Sequence, residues 1–150
     1  ACTTLLAKKF IDNDTPLITA NSDQFIEFEE SWHHNLSTNN DGNILTFKAT
    51  HPKWSFAKVQ EGFVTEVAEK KPISDTATVG VYHWKKGSDY VKYAEQMISK
   101  NIRVNNEFYV CPVFNEAIQD GKNIGTIPIK RMWGLGTPED LRTFLSDYKG

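Results

Sequence analysis

This chain of 150 residues is poor in cysteine, lacks a long apolar run and has little excess charge of either sign. Its two cysteines, Cys2 and Cys111, form no C-x-x-C motif and no dense framework, so we interpret them as free thiols in a reducing compartment. No apolar stretch approaches the roughly 18 residues that a membrane-spanning helix needs. No signal sequence is visible either, which predicts a cytoplasmic protein without a membrane partner.

The charge pattern argues against two classes of partner. Seventeen basic residues balance nineteen acidic ones, and the net charge is -2. These charges are scattered, so nothing in the pattern favours a nucleic acid or an acidic membrane. The length fits one domain over residues 1–150, which is large enough to bury roughly two thirds of its unfolded surface.

Apolar spacing predicts an α/β chain. Helical spacing covers 2–11, 27–36, 89–100 and 107–119, and strands are predicted at 17–20, 44–49, 55–60, 63–68, 77–84 and 124–129. Glu61-Gly62 is typical of a hairpin turn, and Pro112 indicates that its helix begins near it. Thr137-Pro138 predicts the capped start of a last helix.

One acidic residue follows a buried strand. The apolar run Leu17 to Ala20 ends in a polar cluster that carries Asp23. In an open α/β sheet, ligands bind outside the carboxyl ends of the strands, so Asp23 would face a binding crevice. A loop aspartate that caps a following helix is an equally good interpretation of the same spacing.

Three further clusters lie at predicted strand ends, namely His51–Ser55, Glu69–Pro72 and Trp133–Thr137. A carboxylate could hold a divalent cation, a lysine could offset phosphate charge, and a small-residue turn could approach a sugar. Each cluster also has a plain interpretation as a turn. The Gly134-Leu-Gly136 pair is too short for a phosphate-binding loop, the histidines have no metal-ligand spacing, and Cys111 is expected to be a buried core thiol.

Five segments occur in one order along the chain: PLITANSDQF, FVTEVAEKKP, ATVGVYHWKKGSDYV, NNEFYVCPVFNEAI and RMWGLGTPEDLRTFL. In this order they resemble the C-terminal part of the sugar-phosphate nucleotidyltransferases, the family of glucose-1-phosphate thymidylyltransferases and mannose-1-phosphate guanylyltransferases. The resemblance covers nearly the whole chain. It implies a Rossmann-like, mixed and mostly parallel sheet flanked by helices, incomplete at its N-terminal end.

The resemblance also implies a reaction. A sugar-1-phosphate oxygen attacks the α-phosphorus of a nucleoside triphosphate, pyrophosphate leaves, and Mg²⁺ assists, so the enzyme mainly positions groups and neutralises charge. By the same resemblance Asp23 is the metal ligand, Lys71 meets the sugar phosphate, and Glu69 or Lys70 binds the sugar. The remaining substrate-binding residues that it implies are Gln24, Ser55, Gly80 and Tyr82.

Two features depart from the family pattern. The printed sequence contains no G-x-G-x-R loop followed by Pro-Lys, and Gly134 stands where many members carry a second metal-binding Asp. We therefore expect the sugar-phosphate half of a site on a chain that is inactive alone, and that pairs with a further segment or another copy. The alternatives are a non-catalytic binding module of the same fold and a cytidylyltransferase that acts on phosphocholine or another small phosphate.

Overall fold

The computed structural model describes residues 1–29, 32–37 and 39–148. Eight strands are described: β1 (Leu17–Ala20), β2 (Gln24–Glu27), β3 (Gly42–Lys48), β4 (Ser55–Gln60), β5 (Phe63–Glu69), β6 (Thr76–Trp84), β7 (Ile124–Pro128) and β8 (Arg131–Gly134). The α-helices are α1 (Cys2–Leu5), α2 (Lys8–Ile11), α3 (Gly87–Ser99), α4 (Val113–Gln119) and α5 (Pro138–Asp147), and a 3-10 helix spans His34–Ser37. No helix in the described ranges is long and apolar enough to cross a membrane.

The main sheet has the order β5-β4-β6-β3-β7, and β1 adds to β6. This mixed sheet flanked by helices confirms the predicted fold class. The expectation of a mostly parallel sheet needs one correction, because β3–β7 is the parallel pairing among the described strands and the other pairings are antiparallel. β2 and β8 form a separate two-stranded ribbon.

Alternation along the central strands gives the sheet two apolar faces. Ile44, Tyr82 and Trp84 belong to a core that α3 and α4 cover, and the ring of Trp84 stacks on Phe114 with centroids 4.2 Å apart. Residues whose side chains point to the opposite face of the sheet, such as Leu45, form a second core beneath the ribbon. Both faces are thus closed, and ligand access is left to the strand ends.

Strand β6 changes its neighbour halfway along one edge. Its last residues pair with β1, down to the pair Ala20↔Val81, whereas its first residues pair with β4 through Phe56↔Ala77. The pairing with β3 is also irregular at this point, because the register shifts after Ile44. A gap therefore opens over residues 78–80, between the end of β1 and the start of β4.

Two predicted helices are corrected. The segment 27–36, whose Phe28, Trp32 and Leu36 are spaced by four, contains the end of β2 and the start of the 3-10 helix instead, while residues 30 and 31 lie outside the described ranges. These three side chains still pack against the second core. The segment 2–11 forms the two short helices α1 and α2 rather than one. Pairing with distant β8 overrides the local helical period in the first case.

Candidate functional site

A cavity of about 460 Å³ occupies the gap beside β6. Its walls come from the end of β1, the start of β4, the end of β5 and the end of β8, and the middle of β6 forms its base. The place where neighbouring strands diverge is the usual ligand site of open α/β sheets. The cavity therefore owes its position to the topology of the sheet.

All four polar clusters meet in this cavity, although more than 110 positions separate the first from the last along the printed sequence. The lining residues are Asn21, Asp23, Gln24, Lys53, Trp54, Ser55, Glu69, Lys70, Thr78, Val79, Gly80, Tyr82, Gly134, Gly136, Thr137 and Asp140. Six of the seven predicted site residues are in this list, and Lys71 is not. The structure thus brings the predicted set together with one exception.

Asp23 lies in the turn between β1 and β2. The helix-cap interpretation of this residue is wrong, because a strand and not a helix follows it. The backbone carbonyl of Asp23 accepts a hydrogen bond of 2.7 Å from the N–H of Leu135, which extends the β2–β8 pairing into the cavity wall. The turn exposes the Asp23 side chain, so its carboxylate is available to a ligand.

Glu69 stands opposite, at the end of β5, with its carboxylate half-buried. Ser55 Oγ donates a short hydrogen bond to Glu69 Oε2 across the β4–β5 pair. Burial raises the pKa of Glu69, although the Ser55 hydroxyl and the charge of Lys70 partly offset this effect. Among the described residues Glu69 forms no salt bridge. Its carboxylate oxygens can therefore accept hydrogen bonds from a ligand in the cavity.

Beneath this wall the cavity rests on a buried polar layer. The hydroxyls of Thr78 and Tyr82 lie 3.1 Å apart, and the Cys111 thiol contacts both of these side chains and Ser55. Burial raises the pKa of Cys111 to about 12, so the thiol stays protonated at neutral pH. The expectation of a buried core thiol is confirmed. This layer is fixed by its own hydrogen bonds and gives the cavity a firm base.

Gln24, the first residue of β2, lines the cavity with an unsatisfied donor. Its Nε2 atom is buried and has no hydrogen-bond partner among the described residues. Buried amide groups are nearly always satisfied, because an unpaired one costs free energy. A ligand oxygen or a water in the cavity would supply the missing acceptor.

The lysine that lines the cavity is Lys70 and not the predicted Lys71, whose side chain is exposed and outside the cavity lining. Lys70 follows the last residue of β5 with a φ of +54°, a left-handed backbone that turns the chain at this point. Its Nζ atom donates a 2.7 Å hydrogen bond to the hydroxyl of Tyr109, which raises the pKa of Lys70. The resemblance assigned the sugar phosphate to Lys71 and left Glu69 or Lys70 open for the sugar, and of these three residues Glu69 and Lys70 line the cavity.

Among the lining residues that were not predicted, Trp54, Lys53 and Asp140 contact one another or the cavity wall. Trp54 packs its ring edge-on against Phe47, with centroids 5.5 Å apart, and Lys53 Nζ lies 4.5 Å from the Trp54 ring centroid. Lys53 also forms an ion pair of 3.3 Å with Asp140, in the first turn of α5. Their clusters were noted in the sequence, but a turn tryptophan and a helix-capping acid have no spacing that marks them as site residues.

A second cavity of about 570 Å³ adjoins the first. The two share four lining residues, Asn21, Asp23, Gly80 and Tyr82, and the second continues toward Thr3 and Thr4 of α1. Asp23 therefore stands between two adjoining spaces. Such an arrangement suits a residue that serves two substrates at their point of contact.

Known structures share this architecture. No model of a protein family and no curated protein matches the chain. A nucleoside-diphosphate-sugar pyrophosphorylase from Vibrio cholerae RC9 is similar with 30% identity and a TM-score of 0.78, over 97% of this chain and 62% of that one. A UTP-bound UGPase from Acinetobacter baumannii is similar with 12% identity and a TM-score of 0.74, over 95% and 54%. An inositol-1-phosphate CTP transferase from T. maritima is 11% identical with a TM-score of 0.70, over 96% and 58%.

These similarities have two consequences. They confirm the resemblance to nucleotidyltransferases, and the fold that goes with it, for nearly all of this chain. The chain spans less than two thirds of the length of the structures that it matches.

Proposed function

We propose that this chain, which shares its fold and its ordered motifs with the sugar-phosphate nucleotidyltransferases, carries the sugar-phosphate half of a nucleotidyl-transfer site. In the reaction a sugar-1-phosphate oxygen attacks the α-phosphorus of a nucleoside triphosphate, and pyrophosphate leaves. The convergence of four polar strand ends on one cavity carries this proposal. No protein nucleophile is required, because such sites act through position and charge.

Glu69, Ser55 and Gln24 form the sugar-binding part of the site. A half-buried carboxylate without a salt bridge accepts hydrogen bonds from sugar hydroxyls, and Ser55 Oγ holds it in place. The unpaired Nε2 of Gln24 donates to a sugar or phosphate oxygen. Gly80 and Tyr82 shape the base of the site, and the side chain of Asn21 packs into the space that a side chain at Gly80 would take.

Lys70 binds the phosphate of the sugar substrate. Its ammonium group is exposed at the cavity wall, and its hydrogen bond to Tyr109 leaves two further N–H groups for phosphate oxygens. Lys71 then has only a long-range electrostatic role. Substituting Lys70 should weaken phosphate binding much more than substituting Lys71.

The residues present fit Mg²⁺. Hard oxygen ligands suit this ion, and Asp23 and Asp140 both present carboxylates to the cavity. No group of three acidic, histidine or cysteine side chains with metal-binding geometry occurs within the described ranges. Substrate oxygens and waters would therefore complete the shell. Asp23 and Asp140 would hold the ion, which would neutralise phosphate charge.

Calorimetric titration of the 150-residue chain with glucose-1-phosphate and Mg²⁺ tests this function. We expect saturable binding that Glu69→Gln and Lys70→Met each weaken at least tenfold, while the matched controls Glu66→Gln and Lys71→Met change it less than twofold. A nucleoside triphosphate with Mg²⁺ should show no saturable binding below millimolar concentration, because no triphosphate-binding loop is present in the printed sequence. Binding that ignores Glu69 and Lys70 would contradict the proposal.

Trp54 supports a second acceptor, phosphocholine. Quaternary ammonium groups bind aromatic faces, and Trp54 shares the cavity with the Glu69 carboxylate. The Lys53 ammonium lies 4.5 Å from the centroid of the same ring, so choline would have to bind the other face of Trp54 or displace Lys53. The same titration with phosphocholine separates the two candidates: tighter binding of phosphocholine than of glucose-1-phosphate, abolished by Trp54→Ala, would favour the cytidylyltransferase. If a polypeptide extended at the N-terminal end of this chain releases no pyrophosphate from a nucleoside triphosphate with any phosphate acceptor that binds, the site belongs to a non-catalytic binding module.

A further inference from the structure

We propose that Asp140 supplies the second carboxylate for the divalent cation of this site, in the space that a side chain at position 134 would otherwise fill. This inference rests on the proposed function and assigns a residue that the family pattern does not provide. Position 134, where an acid was expected, is a glycine. The question is which group serves in its place.

The Asp140 carboxylate lies beside position 134. A Cβ atom added to Gly134 would lie 3.6 Å from Cγ and 3.7 Å from Oδ2 of Asp140, in ordinary van der Waals contact. A longer side chain at 134 that extended in this direction would meet the Asp140 carboxylate. Asp140 thus places a carboxylate next to the position where the family pattern has its second acid.

The Asp23 carboxylate lies beside Gly136. A Cβ atom added to Gly136 would come within 2.7 Å of Asp23 Oδ2, closer than real side chains allow. Gly134 ends β8, and Gly136 lies in the bend that follows, two residues further along the chain. Both carboxylates line the same cavity, Asp140 beside position 134 and Asp23 beside position 136.

Asp140 has partners that leave it free to bind a cation. Its Oδ2 accepts a 2.7 Å hydrogen bond from Thr137 Oγ1, and its Oδ1 pairs with Lys53 Nζ at 3.3 Å across the cavity. The ion pair is solvent-exposed, so it contributes little stability and can open. The Thr137 bond and the charge of Lys53 lower the pKa of Asp140, which keeps it ionised at neutral pH.

The N-terminal cap of α5 does not explain why residue 140 carries a negative charge. Thr137 Oγ1 accepts the hydrogen bond from the Asp140 backbone N–H, at 3.1 Å, and this cap needs no carboxylate at residue 140. Asparagine at 140 would keep the acceptor for Thr137 Oγ1 but lose the negative charge. The two roles can therefore be separated by an isosteric substitution.

A titration with Mn²⁺ in the presence of glucose-1-phosphate tests the inference. The loss of the electron paramagnetic resonance signal of free Mn²⁺ measures how much of the ion is bound. Asp23→Asn and Asp140→Asn should each weaken Mn²⁺ binding at least tenfold. Asp147→Asn, at the far end of the same helix, should change it less than twofold. Thermal unfolding of each variant confirms that the fold is kept.

A relocation variant gives an independent readout. In an Asp140→Ala background, Gly134→Asp should recover most of the lost Mn²⁺ affinity, because it returns a carboxylate to the same space from the neighbouring strand. If Asp140→Asn binds Mn²⁺ as the unmodified chain does while Asp23→Asn does not, the inference is overturned and the proposed function stands. If the unmodified chain binds no Mn²⁺ with glucose-1-phosphate, both are overturned.

Discussion

Glu69 carries its carboxylate at a place where charge is poorly hydrated. Burial raises its pKa, so the folded chain loses stability as the pH rises from the unfolded-state pKa through that raised pKa. The cost is absent at low pH, where the group is protonated in both states. Glu69→Gln should therefore stabilise the chain at pH 7 by up to about 1 kcal/mol, since partial hydration limits the effect. The gain should shrink toward pH 4.

Urea unfolding of this variant between pH 4 and pH 8 measures the effect. Glu66→Gln, on the exposed side of β5, serves as the control. The difference in unfolding free energy between this variant and the unmodified chain should not grow with pH. A Glu69→Gln variant that is less stable at pH 7 than at pH 4, relative to the unmodified chain, would contradict the burial argument. Gain of stability with loss of sugar binding is the pattern expected of a ligand-binding acid.

The two cysteines should differ sharply in reactivity. Cys2 is exposed in α1, whereas Cys111 is buried with a pKa raised to about 12, and only a thiolate reacts rapidly. A colorimetric disulfide reagent at pH 8 should label one thiol per native chain and two after unfolding. Rapid labelling of Cys111 in the native chain would contradict the buried position of this thiol.

At the scale of elements, α5 depends on its cap. Thr137 Oγ1 accepts the N–H of Asp140, Pro138 opens the helix, and the helix packs Phe144 against Trp133 with ring centroids 5.7 Å apart. Thr137→Ala should lower the free energy of unfolding by about 1 kcal/mol. Thr143→Ala, exposed in the same helix, should change it by less than about 0.5 kcal/mol in chemical denaturation. Equal effects would show that the cap is unimportant.

The bend in β6 depends on Gly80. Its φ is +72°, and a Cβ atom there would overlap the side-chain amide of Asn21 at the cavity edge. Gly80→Ala should cost at least 2 kcal/mol, on the order of the left-handed backbone penalty plus steric repair.

Gly62 provides the matched control for that substitution. Its φ is +85°, but nothing lies within 4 Å of an added Cβ atom, so Gly62→Ala carries the backbone cost alone. Thermal or urea unfolding should place Gly80→Ala clearly below Gly62→Ala in stability. If the two variants lose the same free energy, the Asn21 contact has no part in shaping the site.

Local signals determined which elements could be predicted from the sequence. The start of α5 was predicted correctly, because a threonine cap and a first-turn proline act within four residues. The hairpin at Glu61-Gly62 was correct for the same reason. In contrast, β2 was missed, because its pairing with β8 joins residues more than 100 positions apart and no local period encodes that contact.

At the scale of the whole molecule, the site is a product of topology. The sequence predicted the four polar clusters, and the sheet brings them to one cavity. The resemblance assigned the phosphate to Lys71, whereas Lys70 lines the cavity, and this difference depends on a left-handed turn after β5 that the sequence does not reveal. Nor could the sequence identify Asp140, whose place in the cavity wall depends on how α5 follows the end of β8.

The partners and the location of the protein stay predictions. Strand β1 pairs with β6 on one side, and within the described ranges no strand pairs with its other edge, where the side chain of Ile18 is 46% exposed. Such an edge can accept a further strand, which suits association with another copy or with more of the same polypeptide. The residues of the proposed sugar-phosphate site all lie within the described part of this chain.

Nuclear magnetic resonance titration of the labelled 150-residue chain with glucose-1-phosphate and Mg²⁺ tests the central claim most directly. Saturable shifts are expected at the Trp54 indole N–H, the Gln24 side-chain amide and the Glu69 backbone N–H. The signal of the Trp84 indole, which is buried in the core that α3 and α4 cover, should stay unchanged. Inorganic phosphate alone should move the signals near Lys70 but not that of Trp54. Absence of saturable shifts, or shifts confined to the separate cavity that Val59, Thr126 and Pro128 line, would contradict the account.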